Sequence, residues 1–364
     1  MTKIAQPYAL GPLTLSNRIV VAPMCMYSAD DGVPGPFHAQ HLGRIALSGA
    51  GLAIMEATAV SPEGRISDRC LGLWNDEQEA ALSKLLADTR TYSDTPIGIQ
   101  IGHAGRKAST SALWINGGKP LTADSGGWPV IGPSALPFTD GWPLPEALTQ
   151  DDMDRLVEDF KNCARRADCA GFDALELHAA HGYLLSSFLS PVANVRTDAF
   201  GGELENRMRF PLRVAKAVRE VWPRNKPLGV RLNGSDWSER GITADEAATF
   251  GNRLSALGYD WLHVSSGGND ATATISAQSA YQLPFAQTVK TANPDTTVIA
   301  VGLIKDGLAA SDVIEDGTAD LVAVGRAVLD NPNWPHHVLA ELTGQENLPH
   351  QYERASLAWR KRTT

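Results

Sequence analysis

The chain is poor in the features that mark secreted, membrane-spanning and metal-finger proteins. It has only four cysteines in 364 residues. None forms a CxxC pair or lies beside a histidine at zinc-finger spacing, which argues against a disulfide framework or a zinc finger. No run of about 18 apolar residues occurs, so no transmembrane helix is predicted. The first residues, Met1–Pro7, lack the long apolar stretch of a signal peptide.

Positive charge is also scarce, with 32 basic against 41 acidic residues and a net charge of −9. An acidic protein of this kind has no electrostatic reason to bind nucleic acid or an anionic membrane. A local basic pocket for a phosphate group is still compatible with this balance. Because 43% of the residues are hydrophobic, the chain can build a large buried core. These features predict a cytoplasmic enzyme.

Short apolar runs alternate with helix-like segments eight times along the chain. The runs are continuous, as expected for parallel strands that are buried on both faces. The predicted strands are Arg18–Ala22, Leu52–Glu56, Ile97–Ile101, Ala174–His178, Leu228–Leu232, Trp261–Val264, Val298–Val301 and Leu321–Val324. The predicted helices are His38–Leu47, Glu77–Thr91, Asp151–Ala170, Glu205–Val221, Ala244–Leu257, Pro284–Ala292, Leu308–Glu315 and Trp334–Leu342.

Strict alternation of eight strands and helices predicts an α/β fold, a single (β/α)8 TIM barrel over residues 1–364. Thr149 with Asp152, and Thr243 with Glu246, have the spacing of helix capping boxes. The alternative is an open doubly wound sheet, which would normally carry fewer units or a glycine-rich nucleotide turn. No Gly-x-Gly-x-x-Gly pattern follows any predicted strand.

The segment 104–150, after strand three, is too long for a plain connection. It is rich in glycine, proline, tryptophan and serine. We therefore expect an ordered capping insertion over the mouth of the barrel.

The main candidate for catalysis is the pattern His178-x-x-His181-x-Tyr183, at the carboxyl end of strand four, where TIM barrels place their active sites. On a helical turn the two histidines would point to one side and could converge on one atom. Their N–H groups could then bind a carbonyl or nitro oxygen. Tyr183 is protonated at neutral pH and could donate a proton. Alternatively, the pair is structural or binds a metal, but the further ligands that a metal hydrolase needs are not evident at other strand ends.

Other strand ends carry candidates for holding an anionic cofactor. Gly302 ends strand seven, and Gly325 with Arg326 ends strand eight, where TIM barrels commonly bind phosphate. Arg231 and Gln100 end apolar strands, and both suit the pyrimidine edge of a flavin. The alternative for a buried Arg231 is an internal salt bridge, for instance with Glu56.

Several separated segments of the chain resemble the Old Yellow Enzyme family. They are Pro23–Cys25, Glu56–Val60, Gln100–Lys107, Val324–Ala327 and the long segment His178–Pro191 with Asn194, Arg196–Asp198, Gly201, Gly202 and Glu205–Arg207. The resemblance extends from Pro7 to about Arg354. Cys25 and Tyr27 are similar to the thermophilic-like branch, which includes xenobiotic reductases and bacterial NADPH dehydrogenases.

The resemblance implies a set of cofactor and substrate contacts. Residues implied to contact FMN are Ala22, Pro23, Met24, Cys25, Ala57, Gln100, Arg231, Gly302, Gly325 and Arg326. Residues implied to contact substrate are Cys25, Tyr27, His178, His181, Tyr352 and Arg354. Cys25 would tune the flavin potential rather than act as a nucleophile. The C-terminal segment 345–364 would lie at a subunit interface and insert Arg354 into a neighbouring site, so a homodimer or tetramer is expected.

The expected activity is a ping-pong ene-reductase with a single site for NADPH or NADH and for an activated alkene, such as an enone, enal, maleimide or nitroalkene. His178 and His181 would hold the substrate oxygen, hydride would pass from FMN N5 to the β-carbon, and Tyr183 would protonate the α-carbon. Three alternatives are open. A dienoyl-CoA reductase would carry a C-terminal extension with a cysteine cluster. The sequence given, up to Thr364, contains no such cluster. The others are a metal-dependent barrel hydrolase and a flavin-binding protein without turnover.

Overall fold

The computed structural model describes residues 2–346 and 348–356. Its strands are β1 Tyr8–Leu10, β2 Leu13–Leu15, β3 Ile19–Val21, β4 Leu52–Ala59, β5 Ile97–Gly102, β6 Ile131–Gly132, β7 Glu146–Ala147, β8 Ala174–Ala179, β9 Leu228–Asn233, β10 Trp261–Ser265, β11 Thr297–Ala300 and β12 Leu321–Val324. Its α-helices are α1 Pro36–Ala46, α2 Asp76–Arg90, α3 Gln150–Ala170, α4 Leu184–Leu189, α5 Leu204–Val221, α6 Ala244–Ala256, α7 Leu283–Ala292, α8 Gly307–Glu315, α9 Arg326–Asp330 and α10 Trp334–Thr343.

Eight of the strands form a closed parallel barrel in the order β3-β4-β5-β8-β9-β10-β11-β12. The predicted (β/α)8 barrel is therefore confirmed, and each predicted strand and helix is present. Most bounds differ from the prediction by one or two residues. The largest difference is β4, which continues to Ala59 beyond a bulge at Glu56. The short helices α4 and α9 and the pairs β1–β2 and β6–β7 were not predicted, because such short elements carry too few residues to show a period.

Side-chain capping begins two of the outer helices. The Thr149 hydroxyl accepts from the Asp152 backbone N–H at 3.2 Å, and the Asp152 carboxylate accepts from the Thr149 N–H at 2.9 Å. Thr243 and Glu246 make the same exchange at the start of α6. Both capping boxes are as predicted, and they satisfy amide groups that a helix leaves without partners in its first turn.

The interior of the barrel is filled from its amino-terminal end. Leu10 and Leu15 of the β1–β2 hairpin pack against inward side chains that include Val20, Ile54 and Trp261. A separate and larger apolar cluster lies between the barrel and its helices. The hairpin therefore closes the amino-terminal end of the barrel.

The insertion 104–150 lies at the carboxyl end of the barrel. It contains the short β6–β7 pair and several helical turns. The Arg106 guanidinium donates to the Asn269 carbonyl at 2.6 Å, and the Trp128 indole donates to the Glu63 carbonyl at 3.0 Å. These bonds tie the insertion to loops after β10 and β4. Each helix within the described ranges is too short or too polar to cross a lipid bilayer.

Candidate active site

His178, His181 and Tyr183 come together at the carboxyl end of β8. The ring centroid of His178 lies 5.1 Å from that of His181 and 4.9 Å from that of Tyr183. The expectation that a helical turn aligns the histidines is wrong. His178 is still on the strand, and His181 follows in a loop with a left-handed φ of 60°. Convergence therefore depends on a strained turn, which is uncommon for a residue other than glycine.

The loop that carries His181 is held by its neighbours. Its backbone N–H donates to the Asn233 side chain at 3.0 Å, and its carbonyl accepts from the Lys107 ammonium at 2.8 Å. A Cβ at Gly182 would lie 2.0 Å from the Gly268 carbonyl oxygen, and a Cβ at Gly268 would lie 2.3 Å from the His181 carbonyl oxygen. The two loops thus approach so closely that glycine is required at both positions. Sequence reasoning assigned no role to Asn233 or Lys107.

The imidazoles form a chain of hydrogen bonds that ends on β10. His178 Nε2 lies 3.3 Å from His181 Nδ1, and His181 Nε2 lies 2.7 Å from the Ser265 hydroxyl. Burial, reinforced by the positive charge of Arg231, lowers the pKa of His178 to about 3 and that of His181 well below its ordinary value. Both rings are therefore neutral at physiological pH, and each carries one N–H donor.

Tyr183 stays protonated beside the histidines. Burial raises the pKa of its phenol well above the ordinary value, so the hydroxyl keeps its proton at neutral pH. The Lys107 ammonium lies 5.3 Å from the centre of the Tyr183 ring, and burial together with Arg106 lowers the pKa of Lys107 to about 8. The cluster thus combines two neutral imidazole donors with one phenol that can give up a proton.

Beside this cluster a cavity of about 300 Å³ opens over the barrel. Seven of the ten residues predicted to contact the cofactor line it, namely Ala22, Pro23, Met24, Arg231, Gly302, Gly325 and Arg326. Of the other three, Ala57 lines an adjoining small cavity with His178 and Tyr183, and Gln100 lies inside the barrel on β5. Cys25 lies between Met24 and Met26 on the same loop as the lining residues. The cavity also adjoins Lys305, a cation that sequence reasoning missed.

The cavity fits the anionic and polar groups of a flavin nucleotide. Buried Arg231 has an Nε with no hydrogen-bond partner in the described part of the chain. Gly302 adopts φ of 131°, and a Cβ there would meet the Gln282 side chain at 3.0 Å. The unsatisfied guanidinium of Arg231 suits the polar edge of a pyrimidine ring, and Arg326 and Lys305 on the same cavity suit a phosphate.

Comparison with known proteins identifies the family of the chain. The profile of the NADH:flavin oxidoreductase / NADH oxidase family matches residues 3–345. The chain belongs to this family. It is 41% identical over 361 residues to the NADPH dehydrogenase of Geobacillus thermodenitrificans, with 99% of each chain covered. The structure is similar to that of morphinone reductase, with 30% identity and a TM-score of 0.77 over 96% of this chain and 91% of that chain.

A second structure of morphinone reductase, in complex with tetrahydroNAD, is 29% identical with a TM-score of 0.75, over 96% of this chain and 93% of that chain. The resemblance to the Old Yellow Enzyme family is confirmed by these findings. The chain is an NAD(P)H-dependent flavin oxidoreductase with FMN as its cofactor.

Below the cavity of this flavoenzyme a buried carboxylate organises the polar floor. Glu176 accepts from Gln100 at 2.7 Å, His263 at 2.9 Å and Trp261 at 3.1 Å. Burial alone would raise the pKa of Glu176, but His263 and Arg231 lower it to about 2. The carboxylate therefore balances the charge of Arg231 and fixes the amide of Gln100. An acidic residue within the apolar strand 174–179 was the signal that could have revealed this group.

The alternative partner for Arg231, Glu56, faces away from the barrel interior. It is the extra residue of the β4 bulge, and its carboxylate accepts from the Met26 backbone N–H at 2.9 Å and lies 3.2 Å from His38 Nε2. A bulge turns a side chain to the other face of a strand. Glu56 thus supports the loop that presents Cys25 and Tyr27.

The predicted substrate contacts lie in two separate places. Tyr27 has a left-handed φ of 48°, and its ring packs edge-on against Trp114 of the insertion, 5.7 Å between centroids. Tyr352 and Arg354 are exposed, and Tyr352 lines an outer groove with Arg44 instead of the cavity of its own chain. The rest of the C-terminal segment, 357–364, and residue 347 lie outside the described residues.

The metal alternative needs further ligands beside the histidine pair. In residues 2–346 and 348–356, no three His, Cys, Asp or Glu side chains are grouped so that they could hold a metal ion. A tetrahedral site with an open position would require three protein ligands.

The buried histidines predict that acid destabilises the enzyme. Burial lowers the pKa of His178 to about 3 and that of His103 to about 4, whereas unfolded histidine titrates near 6.5. Between these values only the unfolded state takes up the proton. The free energy of unfolding is therefore at its full value above about pH 6.5. By pH 5 each histidine has lowered it by about 2 kcal/mol. Urea unfolding of the holoenzyme at each pH measures this.

A His103→Gln variant isolates one of these groups. Glutamine can still accept from the Gly105 N–H, which His103 Nδ1 does at 3.0 Å. Between pH 6.5 and 5, the free energy of unfolding of the variant should fall by about 2 kcal/mol less than that of the parent enzyme. An unchanged pH dependence would show that His103 is not the group that titrates on unfolding.

Proposed function

We propose that this flavin oxidoreductase is an ene-reductase that reduces activated carbon–carbon double bonds at the expense of NADPH or NADH. The observation that supports it best is the pair of neutral imidazoles, with 3.3 Å between His178 Nε2 and His181 Nδ1, next to a protonated Tyr183. Two N–H donors that converge on one oxygen polarise a carbonyl or nitro group, and a nearby phenol can complete the reduction.

The FMN would be held by the cavity residues. Arg231 and Gln100 would contact its pyrimidine edge, and Gly302, Gly325 and Arg326 its phosphate. When bound, FMN supplies the hydride chemistry, taking hydride from the nicotinamide and passing it to the β-carbon of the alkene. Arg231 has a supporting role, because a fixed positive charge favours the additional negative charge that a flavin acquires on reduction.

The histidine pair and Tyr183 would act on the substrate from the other side. His178 and His181 bind the substrate oxygen and stabilise the charge that gathers on it. The α-carbon is adjacent to the group that carries this oxygen, so its proton donor must lie close to the pair. Tyr183 fits, since its ring centroid is 4.9 Å from that of His178 and 6.4 Å from that of His181.

Nicotinamide and alkene would use one site in turn. Morphinone reductase, which is similar in fold, has been solved in complex with tetrahydroNAD, and this supports nicotinamide binding by this chain. The chemistry of the pair suits enones, enals, maleimides and nitroalkenes, each of which carries an oxygen acceptor conjugated to the double bond. Tyr27 and Cys25 would line the substrate side, with Trp114 behind Tyr27.

A homodimer or tetramer would complete the substrate pocket. Tyr352 and Arg354 are exposed at the end of the described chain, and Tyr352 lies on an outer groove away from the cavity of its own subunit. Exposed groups of this kind can reach the site of a neighbouring subunit. In that arrangement Arg354 would contribute a cation at the rim of the partner's substrate pocket.

A visible absorption spectrum of the purified protein tests the proposed function. We expect a flavin spectrum that bleaches on anaerobic addition of NADPH and returns when cyclohexenone is added. A flavin that bleaches but is not reoxidised by the enone would contradict ene reduction and move the search to another electron acceptor.

A further inference from the structure

Asp236, in the loop after β9, is a fully buried carboxylate to which four groups donate within the described residues. The Asn233 and Asn269 side chains donate to its Oδ1 at 3.2 and 2.8 Å. The Ser190 hydroxyl and the Ile242 backbone N–H donate to its Oδ2 at 2.5 and 3.0 Å. All five residues lie outside the lining of the cavity assigned to the flavin, so a bound flavin competes for none of these bonds.

The amide of Asn233 links this carboxylate to His181. Its Nδ2 donates to Asp236 and, at 2.8 Å, to the Gly267 carbonyl. A carboxylate and a carbonyl only accept, so the NH2 group must face them and the amide oxygen must point the other way. That oxygen accepts the His181 backbone N–H at 3.0 Å. Asp236 thus fixes the orientation in which Asn233 holds the left-handed turn at His181.

Asn269 links the same carboxylate to the other side of the turn. Its Nδ2 also donates to the Ser186 hydroxyl at 3.0 Å, and that hydroxyl accepts the Gly182 N–H at 3.3 Å. Asn269 directly follows Gly268, where a Cβ would lie 2.3 Å from the His181 carbonyl oxygen. The two loops that meet at His181 therefore share one anchor.

The buried charge of Asp236 is opposed by a cation of the insertion 104–150. Burial lowers the pKa of Arg106 to about 10, and the negative charge of Asp236 opposes this lowering. Arg106 also donates to the Asn269 carbonyl at 2.6 Å. A carboxylate that is fully hydrogen-bonded and close to a cation can remain buried, whereas an isolated one is costly.

We propose that Asp236 is a positioning residue that holds His181 in place for binding of the substrate oxygen, acting through Asn233 and Asn269. A displacement of about 1 Å at a reacting group can slow a reaction about 100-fold, and a residue on a strained turn keeps its place only if its surroundings hold it. The role rests on the proposed function, in which the histidine pair binds that oxygen.

Asp236→Ala removes the anchor and leaves a polar space that water can fill. We expect the His181 backbone N–H to exchange with solvent at least about 10-fold faster than in the parent enzyme. We also expect 4-hydroxybenzaldehyde, an acidic phenol, to bind about 10-fold more weakly, and the reaction of the reduced enzyme with cyclohexenone to slow about 100-fold. The affinity for FMN should be unchanged, because the lost contacts lie outside the flavin cavity.

NMR of the holoenzyme labelled with ¹⁵N-histidine measures the exchange. The chain has nine histidines, so the spectrum is simple, and the His181 signal is the one that disappears in His181→Gln. The backbone N–H of His263, on β10, serves as the internal reference and should exchange at the parent rate. Absorbance at the flavin band measures phenol binding, and the fluorescence of FMN released on dilution measures retention of the cofactor.

Asp236→Asn separates positioning from stability. Asparagine has one amide oxygen, so its NH2 group must face one of the two pairs of donors. The Ser190 hydroxyl can rotate and accept, whereas the NH2 group of Asn233 is also held by the Gly267 carbonyl and cannot turn. The amide oxygen should therefore stay on the side of Asn233, and the Ile242 N–H loses its acceptor instead.

We accordingly expect Asp236→Asn to unfold at a lower urea concentration than the parent enzyme and still to bind the phenol and protect the His181 N–H as the parent does. Asp260→Asn is the matched control at the opposite end of the barrel, where Asp260 accepts the Leu228 N–H at 2.8 Å. It should leave both properties unchanged. If phenol affinity instead fell in step with stability in both Asp236 variants, Asp236 would only support the fold, and its positioning role would be overturned.

A variant of Asn233 tests the same link if Asp236→Ala does not fold. Asn233→Ala removes the acceptor of the His181 N–H, the last bond between the anchor and the turn. It should bind the phenol about 10-fold more weakly than the parent enzyme. Parent affinity in this variant would overturn the role of Asp236, because the link through which it acts would have no effect.

The proposed function can fail separately from the role of Asp236. Faster exchange of the His181 N–H in Asp236→Ala would show that the anchor holds the turn whatever the substrate is. If the parent enzyme then neither bound the phenol nor reduced cyclohexenone, the ene-reductase assignment alone would be overturned. An exchange rate of the His181 N–H that stays at the parent value in Asp236→Ala would overturn the anchor itself.

Discussion

Replacement of His178 or His181 by alanine is expected to slow enone reduction by about 100- to 1000-fold, the usual cost of one lost oxyanion donor. In the proposed mechanism each ring supplies one N–H to the substrate oxygen, and the partner ring, with 3.3 Å between the two nitrogens, cannot replace it. The oxygen gains charge as hydride arrives, so the loss is greatest in the transition state. Stopped-flow absorbance of the reduced enzyme mixed with cyclohexenone measures the rate of this half-reaction.

The matched control for these variants is His337→Ala. His337 lies on α10, where its Nδ1 is 3.1 Å from the Asn331 amide, and it is not part of the β8 cluster. This variant should reduce enones at the parent rate. If the His178 and His181 variants kept the parent rate as well, the pair would have no role in binding the oxygen.

Tyr183→Phe is expected to slow alkene reduction by about 100-fold or more and to leave flavin reduction by NADPH nearly unchanged. A positioned general acid contributes about 10²- to 10⁴-fold, and only the alkene half-reaction needs a proton on carbon. Burial keeps the pKa of Tyr183 well above its ordinary value, so the lost group is a protonated phenol throughout the neutral range. Stopped-flow measurement of each half-reaction separates the two effects.

Tyr8→Phe serves as the control for the Tyr183 variant. The Tyr8 hydroxyl bonds to Thr297 at 3.0 Å in the hairpin at the opposite end of the barrel. Its loss should leave both half-reactions at the parent rates. Equal slowing of the two half-reactions in Tyr183→Phe would mean that Tyr183 shapes the flavin site instead of donating the proton.

The alternation of apolar strands and amphipathic helices in the sequence was sufficient to predict the barrel. Continuous apolar strands such as Leu228–Leu232 require burial on both faces, and their alternation with amphipathic helices leaves few other topologies. The rule that TIM barrels place function at strand ends then brought His178, Tyr183 and Arg231 into one region. Short elements with little periodicity, such as α4 and the hairpin Tyr8–Leu15, could not be predicted from this alternation.

The sequence did not predict which buried polar groups contact each other, because this depends on the face of the strand to which each side chain points. Glu56 and Glu176 both follow apolar residues in a predicted strand, and the sequence does not say which one faces Arg231. A bulge turns Glu56 outward to His38, whereas regular pairing of β8 keeps Glu176 inside with Gln100. A single inserted residue reverses the face of a strand, and no local pattern marks it.

By itself, the sequence determined the fold and the identity of the chemical groups, because hydrophobic period and residue type are local properties, and the FMN site was implied by the resemblance to a known family. Only the tertiary structure decided how these groups act together. His181 reaches His178 through a left-handed turn held by Asn233 and Lys107, and its ring meets a hydroxyl from β10. Those contacts join residues that lie between about 50 and 85 positions apart in the chain. Their geometry exists only once closure of the barrel has placed the strand ends side by side.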